Sequence, residues 1–489
     1  MFKQLRFRAL AVEAKGFRRS VTLFAGLCSI PMLAGCINAE RPDLALEIPP
    51  AYGAAPGAPD TAPPQLDWWR GFGSAELTAL IEEAQTANFD VAVAVARILQ
   101  ADAQSRIAGA PLLPRIDLDA SATRSRASTA GDGGGAGDRS AYRAALTASY
   151  EIDFWGKNRA ASRAAQETAI AARFNRDVVN LSTVVSVGTA YFLVLSSQDR
   201  LRTARSNLTS ANRVMTVFRQ RLEVGTASAL DIAVQESVVA TQRAAIPALD
   251  QTLRQNIATL AVLIGRPPAS VRIRGGSLNR LAIPRVTPGL PSELLIQRPD
   301  IRLAEAQLAS ADASVESARA AFFPSISLTG QGGFQSSALK LLFTPEAAFY
   351  QVAANLTQPI FDGGRLQGQL ELEESRHLEF LQNYRRSVVS AFGDVERALI
   401  AIADTAERER LQRQVVTSSR RAFDIAETRL REGTFDLVTV LQTQQTLFQA
   451  QDNLAEARLA RMQAILSLFQ ALGGSWLPRP AVEQAAVLQ

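Results

Sequence analysis

Histidine and cysteine, side chains suited to acid–base, thiol and metal chemistry, number only one and two in this chain of 489 residues. Its single histidine, His377, sits in "EESRHLEF" within a long helical stretch. One imidazole excludes His-dependent triads and multi-histidine metal sites, and a helix-surface position is the plainer reading. The two cysteines, Cys28 and Cys36, lie near the amino terminus without a CxxC spacing. No GxSxG, P-loop or dinucleotide fingerprint falls in a strand–turn–helix setting. "GDGGGAGD" (131–138) is glycine-rich but lacks the following Lys-Ser/Thr, so it reads as a loop rather than a phosphate cradle. "DWW" (67–69) reads as packing residues rather than a ligand platform. No catalytic residue and no metal ligand is assigned, and the chain is not expected to be an enzyme.

Cys36 is the exception. Residues 1–35 begin with Lys3, Arg6, Arg8, Lys15, Arg18 and Arg19, continue with "SVTLFAGLCSIPML" and end before the cysteine of "LAGC". A basic start and a short apolar core predict a signal peptide, too short to span a bilayer as a helix. Leu33-Ala34-Gly35-Cys36 resembles a bacterial lipobox. That resemblance implies cleavage before Cys36 and a covalent lipid on it, with no other cofactor; ordinary secretory cleavage is the alternative. Two or more acyl chains anchor stably, at roughly 0.8 kcal/mol per buried methylene. With Cys28 removed in the leader, Cys36 stands alone and no intrachain disulfide forms. The leader's basic excess accounts for the whole net charge of +5. The remainder is near neutral, which gives no case for nucleic-acid binding.

The chain is written twice. Shifted by 210 positions, Asp90, Ala94, Asp102, Pro114, Ile116 and Leu118 fall on Asp300, Ala304, Asp312, Pro324, Ile326 and Leu328. Shifted by 208, "RLEVGT" (221–226) meets "RLREGT" (429–434). Alanine-rich helices look alike by composition, but composition does not hold a proline in register. Two repeats follow. Each predicts a helix (75–109, 293–321), a strand, a loop, a second strand, a very long helix (157–222, 366–431), a glycine-containing turn and a returning helix (228–264, 436–472). Pro247 should kink the first returning helix. The predicted division is a leader (1–35), an N-terminal anchor (36–74), repeat one (75–264), a Pro- and Gly-rich connector (265–292), repeat two (293–475) and a tail (476–489).

The strands alternate. Ile116, Leu118 and Ala120 oppose Arg115, Asp117 and Asp119; Tyr142, Leu146 and Tyr150 oppose Arg143, Thr147 and Glu151. Ile326 and Leu328 oppose Ser325 and Ser327; Tyr350 and Val352 oppose Gln351 and Ala353. A barrel with lipid outside and water inside has this pattern, as does a half-buried soluble sheet. Four strands cannot close a barrel, and open edges are not tolerated in hydrocarbon. If these strands span a membrane, several copies share one barrel: two give eight strands, three give twelve. The loops 125–140 and 336–347 would then face outward. A helix of some 65 residues reaches roughly 100 Å, and an amphipathic one must pack laterally along that length. Each long helix follows a strand, so the predicted fold is a mixed α/β membrane protein, a barrel continued by a helical tunnel. Pro114 and Pro324 mark the helix-to-strand seam, since proline does not continue a helix yet is tolerated at the start of a strand.

"GLPSELLIQRPDIRLAEAQLASADASVESARAAFFPSISLTGQGGF" (289–334), "TQPIFDGGRLQGQL" (357–370) and "YRRSVVSAFGDVERAL" (384–399) resemble the TolC/OprM/NodT-type outer-membrane factors, in their efflux-associated lipoprotein branch. The resemblance covers nearly all of 36–475. It implies a homotrimer with a twelve-stranded β-barrel in outer-membrane lipid, a periplasmic α-barrel and an equatorial collar. It also implies a periplasmic adaptor (membrane fusion protein) and an inner-membrane pump, often of the RND class, as partners. The expected function is a passive efflux duct; protein secretion and a coiled-coil lipoprotein tether are the alternatives. The family gates such ducts at the turns after the long helices, often with acidic residues six and nine positions past the turn glycine. Asp231 matches the first of these in repeat one, whereas repeat two has Thr439 and Gln442. Leu430 and Phe435 stand where the family places an aromatic-and-arginine latch. The expected gate therefore closes by Leu430, Phe435 and amide packing, with Asp231 and Asp436 supplying charge. The alternative is that Asp231 only caps the returning helix.

Overall fold

A computed structural model of the chain describes residues 46, 48–54, 67–126, 138–284, 289–432 and 437–474. The leader, Cys36, Phe435, Asp436 and most of the "GDGGGAGD" loop lie outside these residues. Repeat one runs α1 (Ala75–Ala87), α2 (Phe89–Gly109), β1 (Arg115–Arg126), β2 (Asp138–Ile152), α3 (Lys157–Glu223) and α4 (Ala229–Leu263). Repeat two runs α5 (Pro291–Gln297), α6 (Pro299–Ala320), β3 (Ser325–Ser336), β4 (Ala348–Thr357), α7 (Arg365–Arg431) and α8 (Leu437–Ala471). The long helices α3 and α7 both have 67 residues, and the returning helices α4 and α8 both have 35. Pro247 lies inside α4, which continues past it to Leu263.

The leading helices correct the sequence reading. Helix 75–109 is two helices broken at Asn88, and helix 293–321 is two broken at Arg298, the first starting at Pro291. The breaks occupy matching places in the two repeats. At Asn88 the side-chain oxygen accepts from the backbone N–H groups of Asp90 (2.8 Å) and Val91 (3.1 Å), which starts a new helix. At Arg298 the following proline disfavours helical backbone and itself opens α6. Each break also reaches its own returning helix. Asn88 Nδ2 donates to the Leu263 carbonyl (2.8 Å), and Arg298 Nη1 to the Ala471 carbonyl (3.0 Å). Gly265 and Gly473 allow that approach: a Cβ there would lie 2.3 Å from the Ala87 carbonyl oxygen and 2.8 Å from that of Gln297.

Of five apolar clusters among the described residues, two bear on the site. The larger, at the waist, joins Trp68, Phe72, Leu77 and Ile81 to Val187, Phe192 and Leu195 of α3, Leu260 of α4 and Met462, Leu466 and Phe469 of α8. Trp68 stacks on Phe469 with centroids 4.3 Å apart, so the "DWW" segment packs. The connector is pinned across this waist. Glu76 accepts from the backbone of Arg274 (2.9 Å) and Gly275 (3.0 Å), and Asp199 accepts from that of Leu278 (3.0 Å). The apolar middle of α3 thus belongs to the core.

Candidate functional site

The strands form one antiparallel sheet in chain order, β1-β2-β3-β4. Register brings Leu118 opposite Leu146, Ala144 opposite Phe334, Tyr150 opposite Leu328, and Ile326 opposite Leu356. One face is therefore apolar across all four strands. It is also uncovered: Leu118 is 72% exposed, Tyr350 86% and Val352 81%. The other face carries a polar network. Thr147 donates to Asp119 (3.1 Å), and Arg143 donates to Gln331 (2.6 Å) while its guanidinium lies 5.0 Å from the Phe349 ring centre. A soluble sheet buries its apolar face against a core, and this one does not. β1 and β4 form the two edges, each unpaired on its outer side among the described residues.

Pro114 and Pro324 immediately precede β1 and β3. A short 3-10 turn (Ala110–Leu112) lies between α2 and Pro114. Trp155 closes the second junction: its ring stacks on Phe323 (4.6 Å) and its Nε1 donates to the Pro324 carbonyl (2.8 Å). Phe154 packs edge-on against it (4.8 Å), and Ile360 and Phe361, between β4 and α7, are exposed, Phe361 by 91%. Aromatic girdles of this kind occupy the interfaces of membrane barrels. The long helices then start on aspartates. Asp153 accepts from the backbone of Asn158 and Arg159, and Asp362 from that of Gly364 and Leu366.

At the far end, roughly 90 Å along α3 at 1.5 Å per residue, a second core gathers both repeats. Val214 and Phe218 of α3 meet Phe423, Ala426 and Leu430 of α7 and Val440, Leu447 and Phe448 of α8. Leu430 is fully buried here, so it acts by packing the helices of its own chain together. Asp231 forms a capping box with Ser228: its carboxylate accepts from the Ser228 N–H (2.7 Å) and its own N–H donates to Ser228 Oγ (3.3 Å). Thr439 is half-buried and Gln442 exposed on α8, while Asp231 is on α4. Phe435 and Asp436 are outside the described residues.

Sequence reasoning missed the polar ties at this tip. Arg213 of α3 grips Glu427 of α7 with two hydrogen bonds (2.5 and 2.7 Å), and Arg431 adds a third (2.8 Å). Arg221 Nη1 donates to the Leu430 carbonyl (2.9 Å). No spacing marks this pair, because its halves lie 214 positions apart in different repeats.

Residues 80–266 and 290–474 each match the family described as "Outer membrane efflux protein". The pyoverdine export outer membrane protein OpmQ of Pseudomonas aeruginosa is 39% identical over 454 residues, 91% of this chain and 95% of that protein. The toluene efflux pump outer membrane protein TtgF of Pseudomonas putida is 34% identical over 414 residues, 84% and 86% of the two chains. In structure, the outer-membrane channel OprN matches with a TM-score of 0.83 at 26% identity, over 88% of this chain and 98% of that one. A twice-written chain, an uncovered two-faced sheet and helices reaching far below it agree with these likenesses: the chain belongs to the outer membrane efflux protein family.

Proposed function

We propose that three copies of the chain close a twelve-stranded barrel in the outer membrane, continue it as a helical tunnel through the periplasm, and export small molecules through it. The observation that carries this reading is the apolar sheet face, uncovered across four strands and ending in two unpaired edges. Unpaired backbone costs several kcal/mol per group in hydrocarbon, so the edges must meet other copies. Two copies would give eight strands, whose interior is filled by side chains or holds one small ligand. Three is the smallest number that leaves a passage.

The duct performs no reaction of its own. A periplasmic adaptor and an inner-membrane pump of the RND class would load it, and lipid on Cys36 would anchor each chain to the membrane. Relatives named for pyoverdine export and toluene efflux support small molecules over proteins as cargo. The periplasmic gate would be the tip. There Leu430 packing and the Arg213–Glu427–Arg431 and Arg221–Leu430 ties hold the two repeats together. Phe435, Thr439 and Gln442 would narrow the mouth, with Asp231 and Asp436 supplying charge.

The test is dye and antibiotic accumulation in cells without the gene and with it restored. Accumulation should rise on loss and fall on restoration. Unchanged accumulation together with loss of a secreted protein would favour a secretion duct. A native mass of two copies rather than three would overturn the barrel count.

A further inference from the structure

We infer that the loop between β3 and β4 is a membrane-anchoring element, seating Leu339, Leu341 and Phe343 among the acyl chains of the outer leaflet. The inference rests on the barrel reading above. The loop is short and rigidly built. Its backbone N–H groups at Leu341, Leu342, Thr344 and Ala347 donate to the carbonyls of Ala338, Leu339, Leu341 and Thr344 within 3.0–3.3 Å. Leu342 and Ala347 of the loop are buried. Yet Leu339 is 64% exposed, Leu341 47% and Phe343 73%. These turn bonds pair part of the loop's backbone and lower the desolvation cost of approaching hydrocarbon.

Position chooses the occupant. The Phe343 ring meets the Phe334 ring edge-on at 5.6 Å. Phe334 stands opposite Ala144 and Ala348, on the uncovered apolar face of the sheet. The exposed side of the loop therefore continues the surface that faces lipid. Lys340 is exposed between the leucines, where its long stem lets the ammonium rise to the level of lipid phosphates. The other hairpin loop, "SRASTAGDGGGAGDRS", has no large apolar residue to match.

The test labels Leu339→Cys and Phe343→Cys, separately, with an environment-sensitive fluorophore in the full chain. Val352→Cys, on the lipid face of β4, is the control, and the chain with no added cysteine is the blank. Each is reconstituted in phosphatidylcholine vesicles carrying nitroxides at shallow or deep acyl positions, with aqueous iodide as the opposing quencher. The loop labels should lose emission to shallow nitroxide and none to iodide. Loss to iodide, with Val352→Cys still quenched by lipid, would place the loop in water and overturn the inference alone. Protection from both quenchers would mean that the loop packs on a neighbouring copy, which also overturns it. If Val352→Cys escapes lipid as well, the barrel reading fails with it.

Discussion

The joint at Asn88 and the joint at Arg298 hold matching places and make the same tie to a returning helix with different chemistry. Asn88 is self-sufficient: one neutral amide caps a helix and bonds the Leu263 carbonyl. Arg298 is a buried cation and needs acids, Asp300 at 2.7 Å and Asp394 at 3.1 Å. Repeat one keeps Asp90 at the first of those places but has Ser186 at the second. The same divergence recurs further along the long helices. Leu201 of α3 is ordinary core, whereas its counterpart in α7 is Glu409, 1% exposed and bonded by Arg413 (2.5 Å) and Arg461 (2.8 Å). Duplication preserved where the backbone goes, while the side chains that hold it were free to change. Repeat two came to depend on charge.

If that is right, the two repeats should break differently. Arg298→Ala leaves the Ala471 carbonyl without its donor and Asp300 without its cation, while Asp394 keeps Arg397 at 2.6 Å, and should cost about 2–4 kcal/mol; Asn88→Ala should cost about 1–2. Guanidinium unfolding of the purified protein, followed by helical signal, measures both, and equal losses would break the comparison. At the tip, Leu430→Ala removes a fully buried side chain and should cost about 2–5 kcal/mol, raising single-channel conductance as the tip loosens. Its counterpart Leu222 is 42% exposed, so Leu222→Ala should stay within about 0.5 kcal/mol with conductance unchanged.

Glu409 offers a pH test. Burial alone would push its carboxyl up; the hydrogen bonds from Arg413 and Arg461 and the charge of Arg458 outweigh burial and hold it below the usual carboxylate range. A lowered folded pKa gives stability that is present above the unfolded value, about 4.3, and lost as pH falls through the folded one. The native chain should therefore lose stability in acid more steeply than Glu409→Gln, which at neutral pH should be less stable by about 1–3 kcal/mol. Parallel acid curves would show that the cluster carries no such linkage. The smallest effect belongs to Asp231→Asn. As a cap it should cost about 0.5–1 kcal/mol with unchanged cation dependence of conductance. A change in that dependence, alone or with Asp436→Asn, would instead give the aspartates a part in the gate's charge.

The long helices, the four strands and the tip turns were legible because each repeats a period, and because an offset of 208 or 210 aligns one half with the other. The breaks were legible in part. "QRPD" held a proline, which restricts the residue before it, and "ANFD" held a capping asparagine, but both lay inside alanine-rich runs that continue the helical pattern. The tip ties were not legible. Arg213 and Glu427 meet only because two long helices from different repeats end side by side, and nothing local to either residue announces the other. Asp231's place after the turn glycine suggested charge at a mouth or a cap on the returning helix, and its carboxylate sits in a capping box with Ser228.

The unpaired edges of β1 and β4 bear on how the protein is made. In the proposed shared barrel a lone chain would have no stable resting place in hydrocarbon, so insertion and association would be coupled. Their rate would then climb faster than in proportion to the number of chains waiting at the membrane. A cell making too few copies would accumulate stragglers with bare strand edges, open to mispairing and to proteases. Expression level, through this threshold, would set how many ducts exist before any gate opens.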